Sequence, residues 1–421
     1  MIILIKSAKL IDINSKFHNK VVDILIKNNN IEKIGQNIKE PKNCKIIKYE
    51  NLHVSPGLFD LRANFRDPGY EWKEDINTGI KAAAKGGFTG VLTMPSTSPC
   101  IDNKTQIEYI KKISFGKIVD ILPSGSITKK INGKELSEMY DMYKNGAIAF
   151  TDDENSIQDA GIMKLALQHC KNFNGLIINQ PNDLSLSDNS SINEGITSTS
   201  LGLKGSPGIA EEIMLIRDIE LAKYTNSKIH ISCISTAKSV KIVRKAKKNG
   251  VQITCDVAIH NLILDDSNCM EFNTCYKVNP PLRTKEDIRE IIKGLKDGTI
   301  DAICSDHKPQ DFDSKNTTFN EASYGMISLE SAFPLACELI DKLSIELIII
   351  KMANSPRKIL NLSIPSINEG VVANLFLYNP NMHWILKESD IISKSKNSPF
   401  IGKKLKAKVY GIINNGKDQL A

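Results

Sequence analysis

Apolar and polar residues alternate along this chain in two different rhythms. At the start, short apolar runs at 2–5, 21–26 and 31–34 read as strands, with Asn28-Asn29-Asn30 as the turn between the last two. The far end looks similar: 371–378 stops at Asn379-Pro380, and 409–413 stops at Asn414-Asn415-Gly416. Two β-rich ends around a long middle predict one composite β domain made of residues 1–55 plus 368–421; two unrelated β appendages are the alternative. The middle, 56–367, alternates strand and helix signals. Strands are predicted at 59–65, 91–95, 120–125, 147–153, 176–180, 228–234, 252–257 and 301–306. Helical patterns at 74–85, 237–248 and 285–296 separate some of them. Repeated β-α units over about 300 residues fit a (β/α)8 barrel, typically roughly 250 residues long. A doubly wound open sheet competes, but no glycine fingerprint for a dinucleotide follows the first strand.

Composition narrows the function classes. Of 421 residues, 41% are hydrophobic and 24% charged, which excludes disorder and fibre. The net charge of +7 comes from scattered lysines. The run Lys245 to Lys248 has no interleaved aromatics, so no nucleic-acid footprint is expected, and the Lys-rich helix at 237–248 reads as a solvated face. Nine cysteines form no CxxC pair, and Cys170, Cys255 and Cys304 sit in apolar runs, which predicts buried thiols in a reducing cytoplasm. Lys6 and Lys9 interrupt the N-terminal apolar run, so no signal peptide is read there. No apolar run approaches the ~20 residues of a membrane span. The expectation is a soluble cytoplasmic protein with no membrane partner.

In a barrel, chemistry gathers where strands end. The first strand ends in Asp60-Leu-Arg62-Ala-Asn64-Phe-Arg66-Asp67-Pro68-Gly69, the second in Met94-Pro95-Ser96-Thr97. The fourth gives Thr151-Asp152-Asp153, the fifth Asn179-Gln180, the sixth Ser232-Cys233-Ile234 and the eighth Ser305-Asp306-His307-Lys308-Pro309. His230, inside the sixth strand, reads as a packed histidine. His260 reads equally as a loop contact or a vestigial site residue, and Asn193-Glu194-Gly195 could be simply a turn before a helix.

These strand ends resemble those of dihydroorotases, cyclic amidohydrolases of de novo pyrimidine (UMP) biosynthesis. The matching stretches are Ser55-Pro-Gly-Leu-Phe-Asp60, Arg66-Asp-Pro-Gly69, Lys73-Glu-Asp75, Ala82-Ala-Ala-Lys-Gly-Gly-Phe-Thr89 and Asn193-Glu-Gly195. Leu201-Gly-Leu203, Ser235-Thr236, Tyr276-Lys-Val-Asn-Pro-Pro-Leu-Arg283 and Ser305-Asp-His307 complete the series. The resemblance implies a TIM barrel of the amidohydrolase type with a β domain, and interconversion of N-carbamoyl-L-aspartate and (S)-dihydroorotate. It also implies zinc, which would lower the pKa of bound water from 15.7 to about 7.

The family's metal ligands are a His-x-His after strand one, a carboxylate after strand four, histidines after strands five and six and an Asp after strand eight. Carried over, the His-x-His becomes Arg62 and Asn64, and the other two histidines become Gln180 and Cys233. Asp153 (or its neighbour Asp152) and Asp306 remain. A guanidinium has no lone pair to donate, so Arg62 should repel a metal and could pair with Asp306 or Asp153. The resemblance gives Arg66, Ser96, Asn279 and His307 as substrate contacts; Ser96 is shorter than the usual Asn, and Gln310 stands where a second histidine is usual.

Three functions follow. The leading one is a non-catalytic, oligomeric dihydroorotase-like subunit without zinc that partners aspartate carbamoyltransferase, as the pseudo-dihydroorotases of some bacteria do. The second is an active zinc dihydroorotase with one rebuilt metal site of Asp153, Asp306 and Cys233, His307 or His260 as fourth ligand, and Asp306 as general base. The third is a sensor in which Arg66 binds carbamoyl aspartate or dihydroorotate without chemistry.

Overall fold

The computed structural model describes residues 2–420. Parallel strands Leu58–Ala63, Phe88–Thr93 and Asp120–Pro123 form one arc of a barrel. Ile177–Asn179, Ile229–Ile231, Ile253–Ala258 and Ala302–Cys304 form the other. The arcs close at both junctions, by parallel bridges Ala63–His307 on one side and Gly125–Phe150 and Phe150–Ile177 on the other. The stretch expected as a fourth strand over 147–153 is therefore corrected to a short piece around Phe150. It is held by Phe150 N to Leu176 O at 2.9 Å and Ile178 N to Phe150 O at 2.8 Å, and it turns away at Asp153.

The helices outside the ring follow from caps and apolar spacing. Ile76–Lys85 starts at Asp75, whose carboxylate accepts from Thr78 N while the Thr78 hydroxyl returns to the cap backbone. In Ala237–Lys248 the hydroxyl of Thr236 caps Ser239 N; Val240, Val243 and Ala246 face the barrel, and the lysines face water. Lys285–Lys296 begins at Thr284 with Asp287 in the same reciprocal arrangement. Inside the ring, Phe59, Leu61, Leu92, Met94, Ile178 and Ala302 form an apolar plug. Each fully buried Leu, Ile or Phe contributes about 1.5–3 kcal/mol, and the plug gives the strand ends a rigid floor.

Both chain ends enter one sheet. Its order is Lys417–Leu420, Lys404–Asn414, Leu375–Ile385, His53–Pro56, Ile2–Leu10, Val21–Lys27 and Asn30–Gly35, with Lys45–Ile47 beside Ile2–Leu10. Asn28 and Asn29 take positive φ at the first hairpin, and Asn415 and Gly416 do so at the last, as tight hairpin turns require. The Asn379-Pro380 stop is corrected: Leu375–Ile385 runs through it, with the pairing register shifting between Asn379 and His383. Proline lacks an N–H, so the ladder skips it and resumes beyond. Phe376 and Tyr378 of this strand stack at 4.7 Å, and both meet Phe333 edge-on, which locks the sheet to the barrel.

Candidate functional site

Four residues at the mouth of the barrel take left-handed backbone conformations: Arg66 (φ 61°), Asp153 (φ 56°), Cys233 (φ 55°) and Asp306 (φ 48°). Such conformations are costly for residues other than glycine and gather where side chains must be aimed. Two of them, Asp153 and Asp306, meet at the guanidinium of Arg62, 1% exposed. Its Nε donates to Asp306 Oδ1 at 2.8 Å, and its Nη2 donates to Asp153 Oδ1 at 2.6 Å and Gln180 Oε1 at 2.7 Å. Asn64 Nδ2 donates to Asp153 Oδ2 and to Ser96 Oγ, each at 2.9 Å, and Ser96 Oγ donates to the same carboxylate oxygen. Arg62, Asn64, Ser96, Asp153, Gln180 and Asp306 thus form one network, buried except at Ser96, which reaches the mouth.

The electrostatics follow from that network. Burial alone would raise the Asp153 pKa, but Arg62 and Lys308, with the hydrogen bonds from Ser96 and Asn64, hold it below the usual carboxylate range. Burial would likewise lower the Arg62 pKa, and the surrounding Asp153, Cys233 and Asp306 raise it instead. Asp152 belongs elsewhere: it accepts from Ile127 N at 2.8 Å and from Thr128 N at 3.0 Å, and burial pushes its pKa up to about 6.

This donor set does not fit zinc. Catalytic zinc takes imidazole, thiolate and carboxylate ligands and keeps a position open for water. Here both carboxylates are spent on a permanently charged cation that cannot act as a ligand. The expected metal set is also not assembled. Cys233 turns its sulfur to Cys304 Sγ, 3.7 Å away, and its N–H to Asp256 Oδ1 at 2.6 Å. Among the described residues, the group of three metal-ligating side chains with ligand atoms within 4.8 Å of one another is Cys233, Asp256 and Cys304, without Asp153 or Asp306. Cys233 packs among the apolar residues of the plug.

The histidines divide. His230 is packed, with Nδ1 at 2.9 Å from Thr254 Oγ1 and Nε2 at 3.0 Å from Asp256 Oδ2. His260 faces the site: its Nε2 lies 3.8 Å from Asp306 Oδ2, and burial lowers its pKa. His307 is buried. Its Nδ1 accepts from Ser328 N at 3.1 Å and its Nε2 lies 3.7 Å from Glu74 Oε2.

In front of the network lies a cavity of about 500 Å³, lined by Arg66, Tyr70, Ser96, Glu154, Lys308 and Tyr324 among others. Arg66 is 9% exposed; its Nε donates to Pro309 O at 3.2 Å. Asn279 lines an adjoining cavity of about 180 Å³, which shares Tyr324 with the first. Lys308 and Glu154, an ion pair at the cavity wall, escaped the sequence reading. Their signal was only adjacency to Asp306 and Asp153. Asp60 was missed as well: its carboxylate accepts from Ser305 N at 2.7 Å and Ser305 Oγ at 2.5 Å, tying strand one to strand eight. Asn193 is more than a turn residue, since its Oδ1 accepts from Arg283 Nη1 at 2.8 Å.

Comparison with known proteins adds the lineage. A family model described as Dihydro-orotase-like matches residues 52–239. The chain is 43% identical over 417 residues to the dihydroorotase of Acetivibrio thermocellus, covering 98% of this chain and 97% of the relative. It is 40% identical over 420 residues to that of Geotalea daltonii, covering 99% of each. Among solved structures, the L-hydantoinase (dihydropyrimidinase) from Arthrobacter aurescens superposes with TM-score 0.86 at 18% identity, over 100% of this chain and 98% of the other. The dihydropyrimidinase from Brevibacillus agri NCHU1002 gives TM-score 0.83 at 18% identity, over 100% and 95%. At that identity, the structures establish a shared fold: a TIM barrel with a β domain.

Proposed function

We propose that this chain, which belongs to the dihydroorotase family, is a non-catalytic member of it. In this reading it is a dihydroorotase-like subunit of pyrimidine biosynthesis that binds no zinc and partners aspartate carbamoyltransferase. One observation carries the reading: the Arg62 guanidinium lies between Asp153 and Asp306, where a cation with open coordination would be needed. Opening or closing a cyclic amide at neutral pH calls for a hydroxide, and hydroxide calls for a Lewis acid that acidifies water. Arg62 supplies charge without coordination, so it neutralises the carboxylates and activates nothing.

The strand ends, helix caps and inter-domain packing still hold the barrel together, which supports a role for its surface. Arg66 and Ser96 stand at the cavity, where they would contact a carboxylate-bearing small molecule such as carbamoyl aspartate or dihydroorotate. The partner reading is tested by mixing the purified chain with aspartate carbamoyltransferase at micromolar concentrations and separating by size. Co-elution in a fixed ratio is expected; separate elution contradicts the partnership.

A further inference from the structure

A helix on the outside of a barrel ordinarily turns one apolar stripe to the strands and a charged face to water. Ala237–Lys248 does so. The helix before it, Gly208–Thr225, is apolar on both sides. Ala210, Met214, Leu215, Ile219 and Ala222 are buried, while Ile209, Ile213 and Ile216 are exposed. Spacings of four and three put these isoleucines in one row along the helix. A β-branched side chain is a weaker helix former than alanine, leucine or lysine, so no local preference places three of them in water. Two leucines lie beside the row. Asp183 N donates to Ala210 O at 3.0 Å, which sets the short helix Leu184–Ser187 against the first turn, with Leu184 and Leu186 exposed.

Each of the five side chains is 40–47% exposed. Together they leave roughly 400 Å² of apolar surface uncovered, half of the ~800 Å² that each partner brings to a standard interface, whose polar rim supplies the rest. The row is also complementary to itself. When two copies of the helix run antiparallel about a two-fold axis at Ile213, that residue meets its own counterpart, and Ile209 meets Ile216 on both sides of the axis. Glu220, the next exposed residue in the row, then falls at the start of the other copy's helix. The positive end of the helix dipole lies there, close in sequence to the exposed Lys204, so charge matches where the apolar row ends.

We propose that the outer face of Gly208–Thr225, with Leu184 and Leu186 beside it, docks a second copy of this chain as a two-fold, antiparallel helix pair centred on Ile213. The interface uses none of Arg62, Asp153 or Asp306, so it holds whether or not the barrel is catalytic.

The test is light scattering after size exclusion on the full chain at micromolar concentrations. The parent should show at least twice the 46.7 kDa of one chain. Ile213→Glu and Ile213→Lys should each weaken the pairing about a hundredfold or more, because each variant sets like charges face to face at the axis. An equimolar mixture of the two should recover the parent's mass, since Glu then faces Lys. That recovery separates a two-fold contact at residue 213 from a variant that merely misfolds. A parent that runs as a single chain, variants that keep the parent's mass, or a mixture that stays dissociated overturns the inference. So does a monomeric parent whose co-elution with aspartate carbamoyltransferase is abolished by Ile213→Glu, because the row would then belong to that partner.

Discussion

Replacing Arg62 by Met removes the cation and roughly keeps the volume. The structure sets the size of the effect. Three hydrogen bonds of 2.6–2.8 Å are lost, to Asp153, Gln180 and Asp306, and the two carboxylates stay buried. Asp153 keeps Ser96 and Asn64, whereas Asp306 is left facing His260 at 3.8 Å. Charge-assisted bonds contribute about 1.5–3 kcal/mol each but do not add. Stripping one partner from a buried ion network costs about 3–5 kcal/mol. A loss of about 4 kcal/mol, close to a thousandfold in the folding equilibrium, is expected. The sign with pH is also fixed. Asp153 has a depressed pKa in the folded protein, so its contribution is present above the unfolded value of about 3.9 and fades as pH falls through the folded one. Without Arg62, burial dominates and the folded pKa rises, so the variant recovers as acid protonates the carboxylate. The deficit in urea unfolding should be largest near pH 8 and shrink toward pH 5. A variant as stable as the parent at pH 8, or a deficit that grows with acid, refutes the claim that Arg62 neutralises these carboxylates.

Other consequences are simpler. Asp60 is pushed up to about 7 by burial, so the folded state holds a proton that the unfolded chain releases near pH 4, and stability should fall as pH rises between those values; Asp60→Asn should flatten that slope in pH-dependent melts. Gly69 sits at φ +93° with Ser98 O only 1.9 Å from where a Cβ would be, so Gly69→Ala should cost about 2 kcal/mol or more by urea unfolding. Phe333→Ala empties the aromatic contact between barrel and sheet and should cost about 3–5 kcal/mol, read the same way. Arg62→His alone should not recruit zinc by elemental analysis, because Asn64, Gln180 and Cys233 still offer no imidazole.

Much of the frame was legible because local chemistry and tertiary need agree. Helix 237–248 carries its own cap in Thr236 and an apolar stripe spaced for one face, and its bounds follow. The piece around Phe150 was overextended because one bridging residue and a turn look like a strand in sequence; only neighbouring strands decide how far pairing runs. At the site, a pairing of Arg62 with Asp306 or Asp153 could be expected, since a guanidinium among ligand positions must place its charge; that it pairs with both at once is visible only in the fold. The place of Lys308 could not be expected. A lysine reads as solvated, and its burial depends on the segment carrying Gly325, seventeen residues on and visible only once folded. For His307, spacing names a neighbour of Asp306 but not the partners its ring takes, Ser328 N and Glu74.

The most direct test of the account is dihydroorotate formation from carbamoyl aspartate by the purified chain alone, with zinc in excess and again after chelation. The buried Arg62–Asp153–Asp306 network predicts no turnover in either state. Turnover that appears with zinc and vanishes on chelation would contradict it, because a metal would then have displaced the guanidinium.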